Sequence, residues 1–376
     1  MAATTAKLIS KFENARPRLV ANGDEVGFER ALIHSGSSQP KSNVRTNPGQ
    51  VGRKQDKRTR NSREPRASSL ASEVNGRGAV SVPRPVFPGA FYLISRRCTQ
   101  RQFLLRPDPA TNNAYLYCLL VAALRFGVDV LLMCAMSNHH HVVIFDRDGR
   151  YPEFIEHLHK LLARSQNALR GRWENFWAAG QTSVVRLVDA SDVVSKLVYV
   201  ATNPVNDDLV ERAHQWPGVN GFRAFVSGAT LRATRPRHFF RSDGPMPERI
   251  EAQLSIPPEL GDAAAIRRAV EQRVLEIEAQ CKESRLRSGR RVLGRREVLR
   301  QSWRCGPISF EQRRTLNPRV AARNLWSRIE ALVRNKAFVR AYQAARAAWL
   351  DGENAAFPAG TYWLRRFAGV PIADPV

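Results

Sequence analysis

No stretch of this 376-residue chain approaches the roughly 18 consecutive apolar residues that would cross a bilayer. The opening residues, MAATTAKLISKFENARPR, lack the apolar core of a secretory signal. No GxxxxGKS/T loop occurs, so hydrolysis of a nucleotide on a P-loop is not expected. The five cysteines, at 98, 118, 134, 281 and 305, form no CxxC pair and are odd in number. They read as free thiols in a reducing cytoplasm rather than as a disulfide framework. No fixed-period repeat is visible. Carboxylates are also scarce, with 34 Asp and Glu against 59 Lys and Arg, a formal charge of +25.

That excess is mostly arginine, whose planar fork suits phosphate better than the point charge of lysine. A chain so charged repels itself and favours a polyanionic partner through its field and through released counterions. Nucleic acid is the expected partner, and an acidic membrane surface is the runner-up. Hydrophobic residues make up 43% of the chain, enough for a substantial core.

The composition divides the chain. Residues 1–85, above all 35–85, are rich in Ser, Asn, Gly, Pro and Arg, and read as a disordered basic arm. Order is expected from Pro88. GAFYLISRR (89–97) alternates as a strand, and NAYLYCLLVAALRFG (113–127) carries helical spacing up to Gly127. VDVLLMCAM and HHHVVIFD read as two strands across a Ser137-Asn138 turn. A helix over 151–172, a strand over 182–189 and a helix over 189–204, closed by Pro204, follow. This order predicts an α+β unit over 86–228, a ferredoxin-like antiparallel sheet with helices on one face. Residues 229–376 predict a mainly helical, basic region, with helices over 263–280 and 324–350 around an arginine-rich stretch at 282–304.

The chain has eight histidines, and three stand together at 139–141. On a strand, His139 and His141 share one face and His140 points to the other. Two imidazoles so placed can share a metal ion; a polar turn capping a hairpin is the alternative. Further on, Tyr199 and Asn203 lie four apart, on one face of a helix. Asn203 offers a carbonyl oxygen to a hard cation, and the Tyr199 hydroxyl can attack an electrophile. The plainer readings are a core aromatic and a helix C-cap. His157 and His159, two apart on a helix, read as surface or packing residues.

Together these motifs resemble the single-tyrosine HUH transposases and, within them, the REP-associated tyrosine transposase group. The matching residues are Gly89-Ala90-Phe91-Tyr92 to Arg96, Met136-Ser137-Asn138-His139-His140-His141, and Tyr199-Val200-Ala201-Thr202-Asn203-Pro204-Val205. Phe176-Trp177, Leu209 to Ala213 and Trp216-Pro217 fall at similar places, so the likeness spans roughly 85–225. It implies an HUH palm that cuts and rejoins single-stranded DNA at a hairpin or repeat. His139, His141 and Asn203 would hold a divalent ion, Mg2+ or Mn2+, and Tyr199 would form a 5′-phosphotyrosine. No nucleotide cofactor is implied. The protein would act in the cytoplasm, on nucleoid DNA, as a monomer or a homodimer. Arg96, Arg97, Arg101, Arg164 and Arg170 are candidates for phosphate contact, as are Arg290, Arg291, Arg295 and Arg296 in a possible accessory DNA-binding region.

One residue departs from the pattern. The middle position of HUH is usually a bulky apolar side chain and here is His140, which needs a hydrogen-bond partner if buried. Two rivals therefore stand beside the transposase reading: an inert DNA-binding descendant, and an HUH replication initiator or relaxase.

Overall fold

The computed structural model describes residues 82–180, 182–309 and 318–374. The arm expected over 1–85 lies almost entirely outside them. From Arg84 onward the described chain belongs to one contact unit.

Alternating and continuous apolar runs build four antiparallel strands: β1 (Ala90–Arg97), β2 (Val128–Ala135), β3 (His139–Asp146) and β4 (Ser183–Leu187). Their order is β2-β3-β1-β4, with β1 hydrogen-bonded on both sides. Helices α1 (Pro109–Phe126) and α2 (Tyr151–Arg170) pack together and supply the βαββαβ connections. This is the ferredoxin-like arrangement that the pattern predicts. Asp108 starts α1 by accepting from the Thr111 backbone N–H, and Gly127, at φ 64°, ends it where β2 begins.

Two additions extend that plan. A short strand, β7 (Val320–Ala321), pairs parallel to β4, so the five-stranded sheet is mixed rather than purely antiparallel. Helix α3 (Ala190–Asn206) lies against the face opposite α1 and α2, so helices are not confined to one side. The register shows the division: His140 meets Tyr115 of α1 and His159 of α2, whereas His141 meets Tyr199 of α3. Nor does Pro204 end α3, which runs on to Asn206. The proline sits two residues before the helix's last residue, and its carbonyl accepts from the Leu209 and Val210 amides beyond the helix.

The remaining described chain wraps this core. Short helix α4 (Phe222–Ser227) precedes a hairpin of β5 (Leu231–Thr234) and β6 (Arg249–Ala252). Helix α5 (Ala263–Ser288), capped by Asp262, packs along α3 and inserts Val270 and Val274 into the central apolar cluster. Then come α6 (Arg295–Arg300), α7 (Leu325–Leu350) and α8 (Trp363–Ala368). All five cysteines are free thiols; Cys98, Cys118 and Cys134 are fully buried.

Candidate active site

β1 and β3 are in register so that Arg97 faces His139, Arg96 faces His140 and Ser95 faces His141. The pleat therefore puts Ser95, His139 and His141 on the α3 side of the sheet. The His139 and His141 rings meet edge to face, 4.9 Å between centroids. Each is oriented from behind. His139 Nδ1 lies 2.7 Å from Asn138 Oδ1, which can only accept, and His141 Nδ1 lies 2.6 Å from Ser95 Oγ. Both arrangements engage Nδ1 and leave Nε2 as the nitrogen that would bind a metal.

Helix α3 brings Tyr199 over this pair. Its hydroxyl is 3.4 Å from His141 Nε2, a long contact, and its side chain is 39% exposed, so a substrate can reach it. Lys196, one turn earlier, holds its ammonium 5.6 Å from the Tyr199 ring centroid. Burial and the neighbouring His139, His140 and Lys196 push His141 well below the usual imidazole range. At neutral pH its ring is uncharged, as a metal ligand must be. Asn203, one turn beyond Tyr199 on the same face, is 6% exposed, and its Oδ1 is buried without a hydrogen-bond partner. A buried amide oxygen left unsatisfied is costly. A cation held by His139, His141 and Asn203 would remove that cost, so these residues fit the expected ion. Two imidazole nitrogens with one oxygen suit Mn2+ better than Mg2+. Among the described residues no cluster of three or more His, Cys, Asp or Glu offers another site.

The surroundings hold this helix in place. Asn220 donates to the Ala201 carbonyl at 2.9 Å, and the Trp216 indole donates to Ala135 O at 2.9 Å, where β2 ends beside the histidines. Arg323, just after β7, braces the other end of α3 through its amide on Asp192 at 2.8 Å and its guanidinium on Ser195 at 3.0 Å.

His140 is fully buried on the opposite face, and it has partners. Its Nδ1 is 3.2 Å from the Tyr115 hydroxyl and its Nε2 is 2.9 Å from His159 Nε2. His159 Nδ1 is 3.5 Å from Thr182 Oγ1, which accepts from Arg96. Arginine can only donate, and one direction of donation that satisfies the whole chain runs away from it. Thr182 passes its proton toward His159 Nδ1, so His159 carries its hydrogen on Nε2 and gives it to His140. His140 then donates through Nδ1 to Tyr115. Every ring nitrogen is satisfied, and burial holds both imidazoles far below their ordinary range, His159 at about 3. His159 is thus a core partner of β3. A strand histidine predicted to face the core was the signal that a polar partner had to exist, but which helix supplies it is a tertiary fact. Ser95 and Lys196 were also missed. Ser95 lies on the same face as His139 and His141 by alternation alone, once β1 and β3 are paired.

The candidate phosphate-binding arginines separate. Arg97 is exposed at the end of β1 beside His139. Arg96 is half-buried, stacked 6.0 Å from the Trp177 ring and engaged with Thr182. Arg101 binds the Ser309 carbonyl at 2.6 Å. Arg164 is half-buried on α2. The Arg170 side chain, 5% exposed, is used within the protein: it donates to Leu104 O and Thr111 Oγ1 and pairs with Asp108. Arg290 pairs with Asp208 at 2.6 Å, while Arg291, Arg295 and Arg296 are exposed. This arginine stretch is fixed near the end of α3, because the Leu293 and Gly294 amides donate to Asp208 and Leu209.

No family profile matches the sequence, and no curated protein matches it. Among solved structures, the chain is similar to one described as a REP-associated tyrosine transposase bound to a REP hairpin. That alignment has 14% identity and a TM-score of 0.34, and covers 39% of this chain and 86% of the other. A second is a Deinococcus radiodurans R1 protein described as a candidate transposase, with 15% identity and a TM-score of 0.23, covering 28% of this chain and 85% of the other. At such identity the chemistry has to be argued from the residues themselves.

Proposed function

We propose that this protein is a metal-dependent single-stranded DNA endonuclease and strand transferase, acting through a covalent bond to Tyr199. The observation that carries the reading is the meeting, on one face of the sheet, of an exposed tyrosine with two adjoining imidazoles, below a helix turn that carries an unpartnered buried amide oxygen. Tyr199 attacks the phosphorus in line, the phosphate to 3′-oxygen bond breaks, and a 5′-phosphotyrosine forms. The phenolic proton leaves and the departing 3′-oxygen gains one, so one phosphodiester is exchanged for another and no nucleotide is consumed. A phenol titrates near pH 10 and is a weak nucleophile at neutral pH. A divalent ion, when bound, supplies polarisation of a non-bridging phosphate oxygen and stabilisation of the leaving oxygen. Ser95 and Asn138 fix the two imidazoles for it, and Lys196 adds a fixed positive charge beside the nucleophile.

The charge of +25 and the exposed arginines support DNA as the substrate class, and the resemblance in 85–225 supports a hairpin-bearing single strand. The inert DNA-binding alternative rested on His140, and the Tyr115–His140–His159 chain gives that residue a structural account.

The test is incubation with pooled single-stranded hairpin DNAs and Mn2+, followed by denaturation and mass spectrometry. A protein–DNA adduct on Tyr199, absent in Tyr199→Phe and His139→Ala, is the expected result. Tight binding with no adduct across the pool overturns the catalytic reading and leaves a DNA-binding protein.

A further inference from the structure

Tryptophan is rarely left in water, yet Trp173 is 91% exposed. It stands just past Gly171, whose left-handed backbone (φ 62°) ends α2 and turns the chain outward. The loop beneath it is held at both ends. The Arg172 amide donates to Asn167 O, and the Asn167 side chain donates to Glu174 O, both at 2.8 Å. Further on, the Thr99 amide donates to Phe176 O and the Ala178 amide to Arg97 O, both at 2.9 Å. Arg97 pairs in register with His139, so this loop continues the sheet at the end that carries the metal-binding histidines. An aromatic ring is thus presented to solvent just past α2, at the sheet end where His139 lies.

Beside it lies a second aromatic, contributed by the C-terminal region outside the part that resembles transposases. The guanidinium groups of Arg170, Arg172 and Arg304 lie 5.6, 5.8 and 5.0 Å from the Trp303 ring centroid. The 301–309 segment is fastened there: Arg106 donates to Gln301 O at 2.8 Å, the Phe103 amide to Cys305 O at 2.8 Å and Arg101 to Ser309 O at 2.6 Å. Gly306 lies so close to the Arg101 backbone that a Cβ would come within 3.2 Å of its carbonyl oxygen. Asp108 pairs with Arg170 and Arg106, and Glu174 pairs with Arg172.

We propose that Trp173, with the arginine-clasped Trp303 and the exposed Arg304, forms a stacking platform for unpaired bases of the DNA strand bound at the Tyr199 site. An exposed ring stacks on any base, and the surrounding guanidinium groups meet the phosphates between bases. The C-terminal region thereby becomes part of the strand-binding surface. The proposal rests on the single-strand reading of the active site, and binding can be measured apart from cleavage.

The test uses the full chain carrying Tyr199→Phe, to prevent covalent capture, and fluorescence anisotropy with an unstructured single-stranded oligonucleotide. Three further probes accompany it: the same strand with abasic spacers, its duplex, and a salt titration. Adding Trp173→Ala is expected to weaken single-strand binding by roughly five- to a hundredfold. Trp173→Phe should retain most of the affinity, and duplex binding should be unchanged. The effect of Trp173→Ala should vanish on the abasic strand. Arg304→Ala should weaken all strands and flatten the salt dependence. Unchanged single-strand affinity in Trp173→Ala overturns the platform while the Tyr199 adduct, measured in the parent protein, stands or falls separately. Equal losses on strand and duplex overturn it too. So does a change confined to self-association in sedimentation, which would make Trp173 a contact between protein copies. Absence of any single-strand binding by the parent removes the platform together with the substrate reading.

Discussion

Acidification should destabilise this protein well before its carboxylates titrate. His140, His141 and His159 are 0, 7 and 6% exposed, and burial is the largest cause holding all three imidazoles below their ordinary range. In the unfolded chain each titrates near pH 6.5. Above that pH neither state is protonated and the folded protein keeps its full stability. Below it the unfolded chain takes up protons that the folded chain refuses, so stability falls as pH falls, down to the folded values. For one such histidine the loss between pH 7.5 and 5.5 is about 1.4 kcal/mol, and for three it approaches about 4 kcal/mol. That is a large share of the roughly 5–15 kcal/mol that holds a typical domain. Asp146 and Asp207, whose carboxyls burial pushes up, act in the opposite sense, nearer the carboxylate range.

The measurement is urea unfolding in EDTA at pH 7.5, 6.5 and 5.5, followed by circular dichroism. The midpoint should fall steadily with an unchanged m-value. Replacing the buried pair together, His140→Leu with His159→Phe, removes two such groups and leaves His141 and His157, which burial also holds low, His157 at about 3, so the pH-dependent loss should shrink by about 2.7 kcal/mol. A wild-type stability that stays level to within about 1 kcal/mol across the window would refute the reasoning. It would mean that these rings are solvated, or already charged, in the native protein.

The same pair gives a second prediction, at constant pH. His159→Ala leaves His140 Nε2 buried without a partner and should cost about 2–4 kcal/mol by chemical denaturation. His140→Leu with His159→Phe should cost much less than the sum of the single changes, and additive losses would show that the two rings do not interact. Saturating Mn2+ should raise the wild-type melting temperature by several degrees, since an ion at about 100 times its Kd stabilises by about 2.7 kcal/mol. His141→Ala and Asn203→Leu should each reduce that shift, whereas Tyr199→Phe should leave it intact; a shift that survives His141→Ala would place the ion elsewhere.

What the sequence could and could not disclose follows from the range of each interaction. Strand alternation is local geometry, so HHHVVIFD was enough to divide His139 and His141 from His140, and four-residue helical spacing put Tyr199 and Asn203 on one face. The βαββαβ order follows from periodicity and turn residues alone. Pro204 was misleading because a proline in the last turn removes only one backbone donor, while its carbonyl still accepts, here from the Leu209 and Val210 amides. β7 was invisible because two residues carry no period, and its pairing with β4 joins positions more than 130 residues apart.

His140 is the most instructive case. In the pattern the chain resembles, the middle position is apolar, and a polar side chain there reads as decay. What the core requires at that position, however, is a side chain that leaves no polar atom unsatisfied, and an imidazole meets the requirement if both its nitrogens are matched. Tyr115 takes one and His159 the other, with Thr182 and Arg96 completing the chain out to the end of β1. The histidine therefore ties β3 to α1, α2 and a candidate phosphate-binding arginine through hydrogen bonds that an apolar residue could not make. On this argument, restoring an apolar residue at 140 alone would strand His159, and the native histidine is the better partner for the rest of this core.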